Sequence, residues 1–160
     1  MKNEKFSHID ASNNPAMVNV SNKKITLRTA TARSIVRLTA EIMKGLEEGE
    51  IHSKKGPVFQ TAIIAGTMAA KKTGELIPLC HPIGLDGCDF AIKVNGLEVE
   101  IECTSWISAK TGVEMEALTG ASLAALTIYD MCKALSHDIV ITETRLIAKT
   151  GGKKDFKHNG

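Results

Sequence analysis

Residues 88–106, CDFAIKVNGLEVEIECTSW, decide the fold. Two alternating runs, about Cys88 to Val94 and Leu97 to Trp106, flank Asn95-Gly96. Asn-Gly between such runs is the strongest short-range hairpin signal, because both residues tolerate the left-handed backbone of a tight turn. In the second run Val99, Ile101 and Cys103 face one way while Glu98, Glu100 and Glu102 face the other. That is a strand with one buried and one solvated face.

Working outward, the row KKITLRTATARSIVRL from Lys23 to Leu38 reads as a strand, since Thr and Ile favour strands. Ala and Arg leave a helix through the same row as the competing reading. Thr39 looks like an N-cap for a helix from Ala40 to Glu48, stopped by Gly49. Residues 50–56 read as a polar loop. A helix from Pro57 to Thr73 follows, with Ala62, Ala65, Gly66, Ala69 and Ala70 small enough for another backbone to come close. Ile77 to Gly87, with two prolines, reads as a loop. After the hairpin come a small-residue loop at 107–113, the longest helix from Val113 to Leu135 and a last strand from Asp138 to Ala148. The order predicts one α+β domain over 1–160, ferredoxin-like, with an antiparallel sheet covered on one face by helices. Residues 1–15 read as a flexible arm and 150–160 as a flexible basic tail.

Composition narrows the function. The chain has 160 residues, 20 Lys plus Arg against 18 Asp plus Glu, and 4% aromatics. Near-balanced charge and few aromatics speak against a nucleic-acid partner. No apolar run reaches the roughly 18 residues of a membrane span, and MKNEKFSHID contains no apolar signal segment. Cys80, Cys88, Cys103 and Cys132 form no C-x-x-C pair and read as reduced thiols of a cytoplasmic protein. No metal-ligand spacing is present, and a site at Cys80, His81 and Cys88 has only weak support.

Three constellations could carry chemistry. Asp130 and Lys133 lie three apart on the long helix, which makes them either a surface ion pair or an acid/base pair. Their neighbours are mostly apolar, and Glu116 falls about 40° from Asp130 around the helix, which favours use over solvation. His81, held extended by Pro82, is either a satisfied turn histidine or a ligand contact. Lysines at 54, 55, 71, 72, 149, 153 and 154 suit an anionic small molecule, although each alone is more simply a solvated side chain.

The stretches AAKKTGELIPLCHP (69–82), KTGVEMEALTGASLAALTIYDMCKA (110–134) and RLIAKTGGKKDF (145–156) resemble the cyclic pyranopterin monophosphate synthase family, the C proteins of molybdenum-cofactor biosynthesis. The likeness runs from Phe6 to Lys157. It departs at Asn19, where the family carries Asp, and at Gly74, where Trp is frequent. The resemblance implies an enzyme, a phosphorus-oxygen lyase that converts 3′,8-cyclo-7,8-dihydro-GTP into cyclic pyranopterin monophosphate and releases pyrophosphate. It implies Asp130, Lys133 and Lys55 as catalytic. As substrate contacts it implies Leu79, Cys80, His81, Met115 and Glu116 with Glu114 beside them, together with Arg28, Lys71 and Lys149. It also implies a homo-oligomer, a hexamer built as a trimer of dimers with sites at the dimer interface. No cofactor is implied, with Mg²⁺ a candidate companion of the triphosphate. The competing readings are a non-catalytic nucleotide- or pterin-binding module and an RNA-binding domain. An acid/base pair on an apolar helix disfavours the first, and a hairpin carrying only Phe90 and Trp106 disfavours the second.

Overall fold

Strand β1 (Thr26–Arg37) is the spine of the molecule. It turns Ala30, Ala32, Ser34 and Val36 fully inward, so the strand reading of this row holds and the helical one does not. The computed structural model describes Ser12 and residues 14–159; the motif at Phe6 and most of the proposed N-terminal arm lie outside those residues.

Beyond β1 come α1 (Ala40–Met43), β2 (Leu46–Glu47), β3 (Glu50–Ser53), β4 (Gly56–Pro57), α2 (Val58–Lys71), α3 (Thr73–Leu76), β5 (Gly87–Asn95), β6 (Glu98–Ala109), α4 (Glu114–Cys132), β7 (Val140–Thr150) and β8 (Phe156–Lys157). Among the described residues the main sheet has the order β5-β6-β1-β7-β8, and every pairing in it is antiparallel. Without β8, the hairpin lies on one side of β1 and the last long strand on the other, which is the ferredoxin-like arrangement. Helices α2 and α4 cover the face carrying Val99, Ile101 and Cys103. They cross where Gly66 meets Gly120 above the Phe90 ring. A Cβ at Gly66 would stand 2.6 Å from that ring and 2.8 Å from the Gly120 carbonyl oxygen, so two glycines set the depth of helix packing.

Six expectations shift. The helix after Thr39 is only four residues long, although Thr39 caps it by accepting from the Ile42 N–H at 3.4 Å. Left-handed Glu48 and Gly49 (φ 50° and 81°) turn the chain back, and the supposed loop 50–56 becomes a small second sheet of order β2-β3-β4. The helix from 57 divides at Lys72 into α2 and α3, with the Thr73 hydroxyl donating to the Ala70 carbonyl at 2.9 Å. The long helix stops at Cys132 and not at Leu135. In the hairpin Asn95 pairs with Glu98, so Gly96 and Leu97 form the turn. Gly96 has a φ of 61° and Leu97 is not left-handed, a pattern of the II′ kind in which the first central position alone needs positive φ. Finally, the basic tail folds back as β8 on β7, pairing Lys157 with Ala148.

Candidate active site

Helix α4 carries candidate chemistry at both ends. At its C-terminal end Asp130 bridges two ammonium groups. One carboxylate oxygen lies 2.7 Å from Lys55 Nζ and the other 2.7 Å from Lys133 Nζ. All three side chains are about half exposed. The Lys133 hydrogen bond, then the Lys55 one, holds the Asp130 carboxyl down at about 2, and Asp130 in turn raises Lys133. Asp130 is thus an anion throughout the physiological range, and any proton donated here comes from a lysine.

The position of Lys55 is built by residues that the sequence reading passed over. The Ser53 hydroxyl donates to the Gly56 carbonyl at 3.1 Å and accepts from the Lys55 N–H at 3.1 Å, which closes the turn. Pro57 opens α2 without a capping side chain. Glu50 supplies the cap from a distance: its carboxylate accepts from the N–H groups of Phe59 at 2.8 Å and Gln60 at 3.1 Å, and from its neighbour Ile51 at 2.8 Å. A carboxylate at a helix N-terminus satisfies orphan donors and meets the positive end of the dipole. Here it also pins the β3–β4 hairpin that carries Lys55. A Glu seven residues before a capless Pro was the available signal.

At the N-terminal end of α4 a cavity of about 280 Å³ is lined by Leu79, Cys80 and His81 on one side and by Thr111, Gly112, Glu114, Met115 and Glu116 on the other. Glu116 is 3% exposed. Burial, reinforced by the charge of Glu114, pushes its carboxyl up to about 7, so it can hold or release a proton near neutrality. Burial also raises the Cys80 thiol, with Glu116 adding to the effect, which keeps this sulfur protonated. His81 Nε2 lies 2.8 Å from the Val18 carbonyl oxygen. A carbonyl only accepts, so Nε2 carries the hydrogen.

The cavity opens into a groove of about 950 Å³ that shares His81, Thr111, Gly112 and Glu114 with it. Arg28 and Lys149 line this groove. Burial alone would raise Glu114, but the hydrogen bond from Lys149 at 2.8 Å, its own backbone N–H and the nearby Arg28 together pull it down. The Arg28 Nε is buried and has no hydrogen-bond partner among the described residues.

The nominated residues therefore fall into two groups. Asp130, Lys133 and Lys55 form one. Leu79, Cys80, His81, Met115, Glu116, Glu114, Arg28 and Lys149 form the other. Lys71, exposed at the end of α2, lines neither cavity. Fourteen residues of helix separate Glu116 from Asp130, about 21 Å at 1.5 Å per residue, so one chain does not bring the groups together.

Comparison with known proteins identifies the lineage. The MoaC family pattern matches residues 17–152. The chain belongs to the MoaC family. It is 53% identical over 156 residues to the cyclic pyranopterin monophosphate synthase of Xanthomonas oryzae pv. oryzae, covering 97% of this chain and 94% of the relative. It is 51% identical over 158 residues to the protein of the same name from Lysinibacillus sphaericus, covering 96% and 98%. A molybdenum cofactor biosynthesis bifunctional protein of Synechocystis is 52% identical over 155 residues, with this family segment occupying 45% of its length. No helix of the described residues is long and apolar enough to cross a membrane.

Proposed function

We propose that this chain is a cyclic pyranopterin monophosphate synthase, an enzyme of molybdenum-cofactor biosynthesis that rearranges 3′,8-cyclo-7,8-dihydro-GTP and expels pyrophosphate. The observation that carries the reading is the pair of half-sites on α4: a carboxylate bridging two ammonium groups at one end, and a titratable buried glutamate over a cavity at the other. Opening and reclosing a pterin ring needs proton transfers, which Glu116 and the lysines can make. In the phosphate step a sugar hydroxyl attacks the α-phosphorus, its proton passes to a base, and the bond to the β-phosphate oxygen breaks as pyrophosphate leaves. Cations along the triphosphate stabilise that transition state. Arg28 and Lys149 hold phosphate in this reading, and Lys71 joins them in the assembled site.

The reading includes a homodimer with the sites at its interface, and three such dimers as a hexamer. A two-fold axis near the middle of α4 sets the N-terminal end of one helix against the C-terminal end of the other, so that Glu116 meets the partner's Asp130. Ile64, Met68, Leu126 and Met115 are 62%, 52%, 52% and 37% exposed on α2 and α4, and such an apolar surface is what a second copy would cover. No resident cofactor is assigned; Mg²⁺ would arrive with the triphosphate, and the cytoplasm is the assigned location. The test is to incubate purified protein with enzymatically made 3′,8-cyclo-7,8-dihydro-GTP and follow pyrophosphate and pterin product, with Asp130→Asn beside it. Turnover by wild type, lost in the variant, supports the enzyme; binding without turnover moves the chain to the non-catalytic alternative.

A further inference from the structure

The cavity at the head of α4 has walls from two distant parts of the chain. One is the loop 77–86, with Cys80, His81 and Ile83; the other is the turn after β6, with Thr111 and Gly112. The first wall is lightly built. Its start is tied to α3, where the Ile77 N–H donates to the Thr73 carbonyl at 2.9 Å and the Cys80 N–H donates to the Ile77 carbonyl at 3.1 Å. Residues 81–85 then belong to no helix, strand or turn. Ile83 and Leu85 pack on the buried cluster that includes Ile107 and Val113. Apolar contact is non-directional, so it sets the depth of this stretch better than its position along the sheet.

Direction comes from Asp86. Its N–H donates to the Trp106 carbonyl at 3.0 Å, and its carboxylate accepts from the Ser108 N–H at 2.8 Å. The β5–β6 ladder begins only at Gly87, opposite Trp106, so the Asp86 side chain takes a backbone donor of β6 beyond the end of the ladder. Gly87 lets the two chains come this close, because an added Cβ there would lie on the Trp106 indole. Counting from this bond, His81 is five residues back in one wall and Thr111 is three residues on in the other. Asp86 is itself exposed and lines neither the cavity nor the groove. The far ends of the walls are joined only through residues 18–21: His81 Nε2 donates to the Val18 carbonyl and Lys110 Nζ to the Ser21 carbonyl, each at 2.8 Å.

We propose that Asp86 is a positioning residue of this site, whose carboxylate sets the spacing between the Cys80–His81 wall and the Thr111–Gly112 wall. The proposal rests on the preceding reading of the reaction. A ring held between these walls reacts only in a narrow range of geometries, and a misplacement of about 1 Å costs on the order of 10²-fold. What the spacing needs is an acceptor facing the Ser108 N–H. Asp86→Asn keeps an oxygen there without the charge, and Asp86→Ala removes it. A single exposed hydrogen bond contributes little to the stability of the whole chain, so its loss is read in the site and not in the fold.

The experiment compares the full-length wild type with Asp86→Ala and Asp86→Asn. Turnover of 3′,8-cyclo-7,8-dihydro-GTP is measured beside alkylation of the cysteines by iodoacetamide, resolved peptide by peptide in a mass spectrometer. Cys80 lines the cavity, whereas Cys132 is buried at the other end of α4 and reports opening of the whole fold. In Asp86→Ala kcat/KM falls about tenfold or more. Cys80 is alkylated about fivefold faster as its wall loosens, while Cys132 keeps the wild-type rate. Asp86→Asn returns kcat/KM and Cys80 alkylation to within about twofold of wild type. Wild-type kcat/KM and Cys80 alkylation in Asp86→Ala overturn the proposal. So does an Asp86→Asn variant as impaired as Asp86→Ala, and so does Cys132 accelerating in step with Cys80. Absence of turnover in the wild type would count against the proposed function instead, and Cys80 alkylation would still decide the positioning role.

Discussion

Mixing two inactive variants should restore activity. Asp130→Asn removes the bridge between Lys55 and Lys133, and Glu116→Ala removes the buried carboxyl over the cavity. Loss of a positioned proton-transfer group typically costs about 10²- to 10⁴-fold, so each variant alone is nearly silent. The two positions lie about 21 Å apart along one helix, beyond the reach of a single bound nucleotide ring, so in the proposed dimer each site would take one from each copy. After unfolding and refolding as an equal mixture, about half of the dimers are mixed, and each mixed dimer has one site with both halves intact and one with both altered. The mixture therefore recovers about a quarter of the wild-type rate. The assay is pyrophosphate release at fixed total protein, with each variant refolded alone as the baseline. Recovery that stays at the sum of the two baselines, while mixed oligomers form as judged by a mass tag on one variant, refutes the division of the site between copies.

Other outcomes follow from single groups. Because the folded Glu116 holds its proton up to about 7 against an ordinary 4.5, the folded chain binds more protons than the unfolded one between those values. Its contribution to stability is present below about 4.5 and is lost as pH rises through about 7, by on the order of 3 kcal/mol. Thermal melts from pH 4.5 to 7.5 should show that slope in the wild type and lack it in Glu116→Gln. Gly66→Ala forces a methyl against Phe90 and the Gly120 carbonyl and should cost about 1–3 kcal/mol in urea unfolding. Glu50→Ala should cost about 1 kcal/mol as a lost helix cap, and should lower kcat more than it raises KM because Lys55 loses its anchored hairpin; an unchanged kcat would reduce Glu50 to a structural role.

The fold was legible where periodicity and turn chemistry agree. The alternation of Val99, Ile101 and Cys103 survives as a buried stripe, and all of β1 follows its Thr-rich row. Legibility failed where two or three residues decide. Nothing in EIHSKKG alternates for long enough to announce β3 and β4, whose geometry comes from Glu48, Gly49 and a distant cap on α2. The Asn-Gly turn moved by one residue because the strand register pairs Asn95 with Glu98, and register is set by the buried faces of β5 and β6 as well as by the turn.

The site was legible through its motifs and not through its geometry. Spacing on a helix reports angle well and distance poorly. Glu116 and Asp130 share a side of α4, as an offset of about 40° requires, yet the same arithmetic puts them about 21 Å apart. The two ends also hold opposite electrostatic environments: Asp130 is pinned as an anion by two exposed lysines, and Glu116 is kept near neutrality by burial. A carboxylate fixed in one state steadies charge, whereas one poised near 7 can move a proton. The sequence reading puts Asp130 with the catalytic residues and Glu116 with the substrate contacts. Burial raises one and paired lysines lower the other, which suits Glu116 to holding a proton and Asp130 to holding charge.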